Sequence, residues 1–254
     1  MILLLPPSET KRPGGVVGTR LELDGLSFPS LGAPRRAALS ALRELCADDA
    51  AARRALKLGA TQLALIEVNR DVERSATMPA LDRFDGVLFD ALDAATLSAE
   101  ARRRAGESVL IGSALFGLVG ALDAIPAYRL SADSKLPGLA LRRHWADEAA
   151  AALAERAAGG FVLDARSEAY AALGPAPAGS RFLRVVAEGE DGRRRALNHF
   201  NKAGKGALAR ALLAGPSWPE DESDLLDWAR DAGVRLEAGD AGELVLIAEH
   251  RAAA

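Results

Sequence analysis

The sequence predicts a mixed α/β fold: one compact domain over residues 1–254, with a mixed sheet flanked by helices. Two observations carry that expectation. Short apolar runs of strand length alternate along the chain with longer stretches of helical periodicity, the pattern of layered α/β proteins. Hydrophobic residues make up 49% and charged residues 26% of 254 positions, a composition and length that allow a large core.

The opening MILLL is expected to be a buried strand that stops at Pro6. It lacks the basic start and the longer apolar run of an export signal. The following PPSETKRPGGVVG is too long for a tight turn and is expected to be a functional loop. APRRAALSALRELCA, with Pro34 near its first turn, and DDAARRALKLG, ended by Gly59, are two expected helices, and ATQLALIEVNRDVERS is a third. RFDGVLFDALDAATLSAEARRRAG combines a short extended segment with a helix that starts at Ser98 and Glu100. SVLIGSALFGLVGAL gives a buried strand leading into a small-residue segment. RRHWADEAAAALAERAAGG is a helix stopped by Gly159 and Gly160. It leads into FVLDARSEAYAAL, a strand ending near Asp164 and a helix opening at Ser167 and Glu168. RFLRVVAEGEDGRRRALNHF is an expected hairpin, after which Gly204-Lys205-Gly206 is expected to open the helix ALARALLAG. SWPEDESDLLDWARDAGVRLEAGDAGELVLIAEH closes the chain with a capped helix and two strands.

Composition removes several functional classes. Cys46 is the only cysteine and reads as core, so thiol-pair chemistry and thiolate metal clusters are excluded within one chain. His144, His199 and His250 are far apart, and neither a metal nor a cofactor is expected. No Walker A, early GxGxxG or GxSxG sequence is present. No run reaches the roughly 18 apolar residues of a membrane span, which leaves a cytoplasmic location and no membrane partner as the expectation. The oligomeric state is open, with a monomer the simpler reading.

Only five of the 32 basic residues are lysines, so Lys11, Lys57, Lys135, Lys202 and Lys205 stand out against an arginine-rich background. Six basic residues and no acid lie between Arg193 and Arg210, whereas Trp218–His250 holds ten acids and two arginines. A net charge of −3 argues against a general polyanion binder but permits one basic cleft.

Each candidate residue has two readings at this level. Gly204-Lys205-Gly206 with Lys202 and Arg210 suits either a phosphate-binding helix N-terminus or a solvated basic helix start. The glycine spacing also resembles the hairpin of helix-hairpin-helix modules, although Arg210 stands where a small residue is usual. Tyr128 and Arg129 can stack on a base and hold a phosphate, or can be a core ring beside a surface charge. Asp164, Glu168 and Tyr170 can be acid or base groups at a strand end, yet Ser167 and Glu168 also suit an ordinary helix start. Trp145 reads as core.

Seven segments in order, LLLPPSETK, FDGVLFDAL, LFGLVGALDAIPAYRL, HWAD, VLDARSEAY, NHFNKAGKGALAR and a GVRLE…GELVL tail, resemble the YaaA family, bacterial proteins associated with resistance to peroxide stress. The resemblance implies a cantaloupe-type α/β fold, a basic cleft, affinity for double-stranded DNA and a role in limiting oxidative damage through iron or DNA protection. Its loop after the first strand falls on Ser8, Glu9, Thr10 and Lys11, and its Tyr-Arg-Leu motif on Tyr128, Arg129 and Leu130. Further motifs fall on Trp145 and Asp147, on Ser167, Glu168 and Tyr170, and on Lys202, Lys205, Gly206 and Arg210. The chain departs in having Leu88 and Phe116 where tyrosine is common, Asp90 for glycine, and Asn198-His199 for a Ser-Phe type pair.

Two functions are therefore expected as alternatives. One is a DNA-binding stress protein with Ser8, Lys11, Arg129, Lys202, Lys205, Gly206 and Arg210 on phosphates. The other is an enzyme acting in the same cleft on a nucleotide, nucleobase or damaged base, with Tyr128 stacking, Glu168 or Asp164 as acid/base, and Lys11 or Lys202 as electrophile or nucleophile. Both require Ser8, Arg129, Glu168 and Lys202 to converge on one concave site.

Overall fold

Ile2–Leu5 forms β1, and all four apolar residues are buried because a strand pairs on each side of them. Such a strand lacks polar alternation, since both of its faces are covered. The computed structural model describes residues 1–188, 194–195, 198–240 and 242–248, with the side chains of 194–195 and 198–200 left aside.

After β1 the chain runs through a long loop into α1 (Gly32–Leu45), α2 (Asp49–Ala55) and α3 (Ala64–Arg70). The expected second helix is shorter than its sequence pattern. It ends at Ala55, and Lys57 adopts a left-handed conformation (φ 54°) before Gly59 is reached. A 3-10 turn at Ala60–Gln62 likewise takes the start of the expected third helix.

Next come β2 (Met78–Pro79), α4 (Ala80–Arg83), α5 (Val87–Leu92) and α6 (Ala99–Ser108), the last capped by Ser98 as expected. VLFDAL is thus helical, which corrects the extended segment expected there. A short apolar run has no periodicity to separate strand from helix, and packing against a later helix decides it.

β3 (Val109–Ser113) and β4 (Gly117–Gly120) form a hairpin, so the small-residue segment is itself a strand. β5 (Ala124–Ile125), α7 (Leu141–Ala157), β6 (Val162–Asp164) and α8 (Glu168–Ala171) follow. α7 ends with Ala158 and Gly159, both at positive φ. α8 has only four residues, and the Ser167 hydroxyl makes no capping bond. β7 (Arg181–Glu188) and β8 (Arg194–Arg195) form the expected antiparallel pair. α9 (Asn198–Ala214), α10 (Glu222–Asp231), β9 (Leu236–Ala238) and β10 (Glu243–Ala248) complete the chain, with Asp221 capping α10.

The main sheet has the order β4-β3-β1-β6-β7-β10-β9, with β8 also pairing β7. β3, β1, β6, β7 and β10 run parallel, while β4, β8 and β9 are antiparallel. From β1 the chain pairs first with β3 on one side and later with β6 on the other. Strand order therefore reverses at β1, and the carboxyl ends of β1, β3 and β6 mark the position at which open α/β sheets place their ligand crevices.

One continuous hydrophobic cluster joins these elements. Trp145 is fully buried, donates to the Ala114 carbonyl at 2.9 Å and lies against Gly117. A side chain at Gly117 would meet the indole ring at 2.8 Å, and its φ of 74° also favours glycine. Cys46 is buried, as expected of a core cysteine. Among the described residues, no helix is long and apolar enough to cross a membrane.

α9 begins at Asn198, which corrects the expected helix start at Gly204-Lys205-Gly206. Those residues lie inside the helix and have no free N-terminal amides to offer. Their glycines serve close packing instead. A Cβ at Gly204 would meet Val185 at 3.2 Å, and one at Gly206 would clash with the Leu88 carbonyl oxygen on α5.

Candidate functional site at the carboxyl ends of the strands

The loop leaving β1 carries Ser8, Glu9 and Lys11 and is fastened to the segment between α4 and α5. Lys11 bridges to Phe84, Asp85 donates its backbone N–H to the Thr10 carbonyl at 3.1 Å, and Arg12 donates to the Arg83 carbonyl at 2.9 Å. The buried Arg83 side chain holds the next stretch of loop. It donates to the carbonyls of Arg12, Gly14 (2.9 Å), Ala76 (2.8 Å) and Ile125 (3.1 Å). Four carbonyl partners make the guanidinium a brace for the backbone.

Lys11 Nζ lies 4.0 Å from the centre of the Tyr128 ring and 5.4 Å from that of Phe84. It donates to the Glu9 carbonyl at 3.3 Å. Lys11 is only half-buried as a residue, yet loss of water around its ammonium, followed by the nearby Arg129 charge, pushes its pKa down to about 7, while Glu9 opposes the shift. The geometry accounts for the direction, because two rings stand where water would otherwise solvate the cation.

Asn69 clamps the Arg129 main chain by accepting from its N–H at 2.7 Å and donating to its carbonyl at 2.9 Å. The Arg129 guanidinium reaches the Glu9 carboxylate at 2.7 Å. Glu9 is 61% exposed at its side chain and Arg129 only 11%, so the cation is fixed and the anion is the displaceable partner.

Tyr128 does not offer a free ring to a base, which corrects that expectation. It is buried, shares a 2.8 Å hydrogen bond with Ser113, and meets Phe116 edge-on at 5.4 Å. Burial raises its phenol pKa, and burial also raises that of Tyr170, so neither is a ready base. Asp164 is likewise committed. Both its oxygens accept from Arg166, at 2.9 and 2.7 Å, with both side chains buried. Glu168 is 81% exposed at its side chain and faces Arg184 on β7 at 3.7 Å.

The basic residues of α9 have separate surroundings. Lys205 is buried and donates to the Arg166 carbonyl at 3.3 Å, with its Nζ 5.7 Å from the Phe182 ring. Burial is the main cause that lowers its pKa to about 8, with Asp164 opposing and Arg184 assisting. Arg210 donates to the Leu92 and Asp93 carbonyls, each at 2.9 Å, and to Thr96 at 2.8 Å. Its charge thus caps the C-terminus of α5, where a cation complements the helix dipole. Lys202 is exposed.

The structure therefore brings Lys11, Arg129, Glu9 and Tyr128 together, with Ser8 alongside near Gly86. It places Lys205 near the end of β6, turns Glu168 toward β7, assigns Arg210 and Gly206 to the α5–α9 packing, and places Lys202 in none of the described contacts with this cluster, so the expected four-residue convergence is not met and only Ser8 and Arg129 of that set share the site. Sequence reasoning missed Asn69, Arg83 and Arg166. Two are arginines in an arginine-rich chain, and no local pattern marks a side chain whose partners are distant carbonyls.

A family model described as peroxide stress protein YaaA matches residues 1–228. The chain belongs to this family. A UPF0246 protein of Streptomyces coelicolor is 43% identical over 244 residues, spanning 94% of this chain and 92% of its own. Another, from Corynebacterium efficiens, is 43% identical over 244 residues, or 93% and 95% of the two chains. A UPF0246 protein of Cereibacter sphaeroides matches 162 residues at 35% identity. Membership supports a stress-related role.

Proposed function

We propose that this chain acts in the cytoplasmic response to peroxide stress by binding duplex DNA through its phosphates in the crevice at the carboxyl ends of β1, β3 and β6. The observation that carries the reading is the pairing of Lys11 with Arg129 at the point where strand order reverses, with exposed Glu9 as the nearest anion. A phosphate oxygen can replace the Glu9 carboxylate on the guanidinium and also approach the lysine. A phosphate charge there would favour the ammonium form of Lys11, making binding and proton uptake linked events.

The test is fluorescence anisotropy of a labelled duplex across a salt series. Each phosphate contact contributes about −0.9 to the slope of log K against log salt. Lys11→Ala is expected to weaken binding and to make that slope shallower by about one contact. Equal affinity and slope in wild type and Lys11→Ala would remove Lys11 from the interface.

The enzyme alternative draws on a different observation: Lys11 and Lys205 are both desolvated amines, one in the loop after β1 and one near the end of the neighbouring β6. In that reading the site acts on a nucleotide, nucleobase or damaged base, with Lys11 the more accessible nucleophile. Glu168 remains the acid/base candidate free of a buried partner. Glu168→Gln should then abolish turnover while sparing affinity, and unchanged turnover would exclude that role.

A further inference from the structure

We propose that Lys11 forms an imine with a phosphate-bearing aldehyde, its Nζ adding to the aldehyde carbon while Arg129 holds the phosphate. The proposal deepens the reading of this crevice as a phosphate site and rests on it.

Three features of the geometry support it. Lys11 Nζ faces the Tyr128 ring at 4.0 Å and the Phe84 ring at 5.4 Å, and its one hydrogen bond among the described residues goes to a carbonyl. No carboxylate of the described residues lies within ion-pair distance of it, because Glu9 is held by Arg129 at 2.7 Å. Lys57 shows the ordinary alternative, an exposed lysine paired with Asp133. The ring faces favour the cation, but loss of water and the nearby Arg129 guanidinium, with no carboxylate partner to offset them, favour the free amine, which is the nucleophile. Lys205 shares the desolvation but is buried as a residue and turned to the Arg166 carbonyl, whereas Lys11 is only half-buried as a residue and lies beside the Arg129 guanidinium.

The step balances without an oxidant or reductant. The nitrogen lone pair attacks the carbonyl carbon, the C–O π pair moves to oxygen, and proton transfer gives a carbinolamine. Loss of water then leaves a C=N bond, so that amine plus aldehyde becomes imine plus water. Glu9 is the nearest carboxylate to relay protons once a phosphate takes its place on Arg129. The shared chemistry has two sources, an abasic sugar within DNA and a free sugar phosphate in its open-chain form.

The full chain is incubated near pH 7 with 2-deoxyribose 5-phosphate and, in a separate arm, with a duplex carrying one abasic site. Both are reduced with sodium cyanoborohydride and mapped by peptide mass spectrometry, while affinity for the intact duplex is measured in parallel. The expected result is an adduct on Lys11, formed about tenfold or more faster than on Lys202. It should be lost in Lys11→Arg and kept in Lys202→Arg. Adduct from the sugar phosphate alone assigns the site to small aldehydes, and adduct from the abasic duplex assigns it to DNA. Should Lys11→Arg not fold, the Lys11-to-Lys202 ratio in wild type decides. No adduct, or one spread evenly over the lysines, overturns the imine. Retained affinity for intact duplex would then leave the DNA reading standing, whereas Lys11 adduct without duplex affinity would overturn the DNA reading alone.

Discussion

Lys11 carries opposing demands within one side chain: a phosphate is best met by its ammonium, and a carbonyl by its free amine. With a pKa of about 7 it supplies both forms near neutrality. The same property has a consequence for stability. The folded pKa lies below the unfolded value of about 10.4, so between those values the unfolded state binds more protons, and stability rises with pH from about 7 to about 10. Below pH 7 the cost of keeping the ammonium against the rings is present in full. Lys11→Met is therefore expected to unfold at higher temperature than wild type at pH 6, by an advantage of about 1 kcal/mol after allowance for solvent screening of a half-buried group. The gap should close as pH rises toward 10, and a gap independent of pH would show that Lys11 is not desolvated. Lys11 stood out because lysine is rare in this sequence, but the aromatic partners around it did not. Glu9 is a neighbour in the same loop, but Tyr128 is far along the chain, and only the fold brings its ring to Lys11.

The packing of α5 against α9 decides several element-level outcomes. Gly206 lets the backbones of the two helices meet, and Arg210 one turn later ties itself to the carbonyls that end α5. Gly206→Ala would gain helix propensity in isolation, but the added methyl runs into the Leu88 carbonyl, a backbone atom that cannot swing aside. Overpacking of this kind costs about 1–3 kcal/mol or more, and the variant should show a correspondingly lower urea midpoint. An unchanged midpoint would contradict the close approach. Most strands and longer helices were legible from apolar run length and caps, as with β1 before Pro6, α6 after Ser98 and α10 after Asp221. α5 was not, because its six residues take their form from α9, more than a hundred positions later. The same contact explains the misreading of Gly204-Lys205-Gly206, where glycines that serve helix packing look locally like glycines that cradle phosphate.

Over the whole molecule, charge is arranged by sheet position. The acid-rich C-terminal segment forms α10 and packs beside β9 at one edge of the sheet, whereas Lys11 and Arg129 lie at the carboxyl end of β1, several strands inward. A net charge of −3 therefore coexists with a local cationic pair, and association with DNA should depend on orientation and salt. That the Lys11–Arg129 cluster lies at strand ends could be anticipated from the alternation of strands and helices, since strand ends gather the loops. Its membership could not: Arg210 and Gly206 went to packing, Asp164 to Arg166, and only part of the expected basic set remains around Lys11. The claim that this remaining pair meets phosphate is tested most directly by following Lys11 Nζ with reductively attached 13C-methyl groups in an NMR pH titration, with and without duplex DNA. The expected result is a Lys11 titration near pH 7 in the free protein that moves upward when the duplex is bound. A Lys11 titration left unmoved by saturating duplex would contradict it.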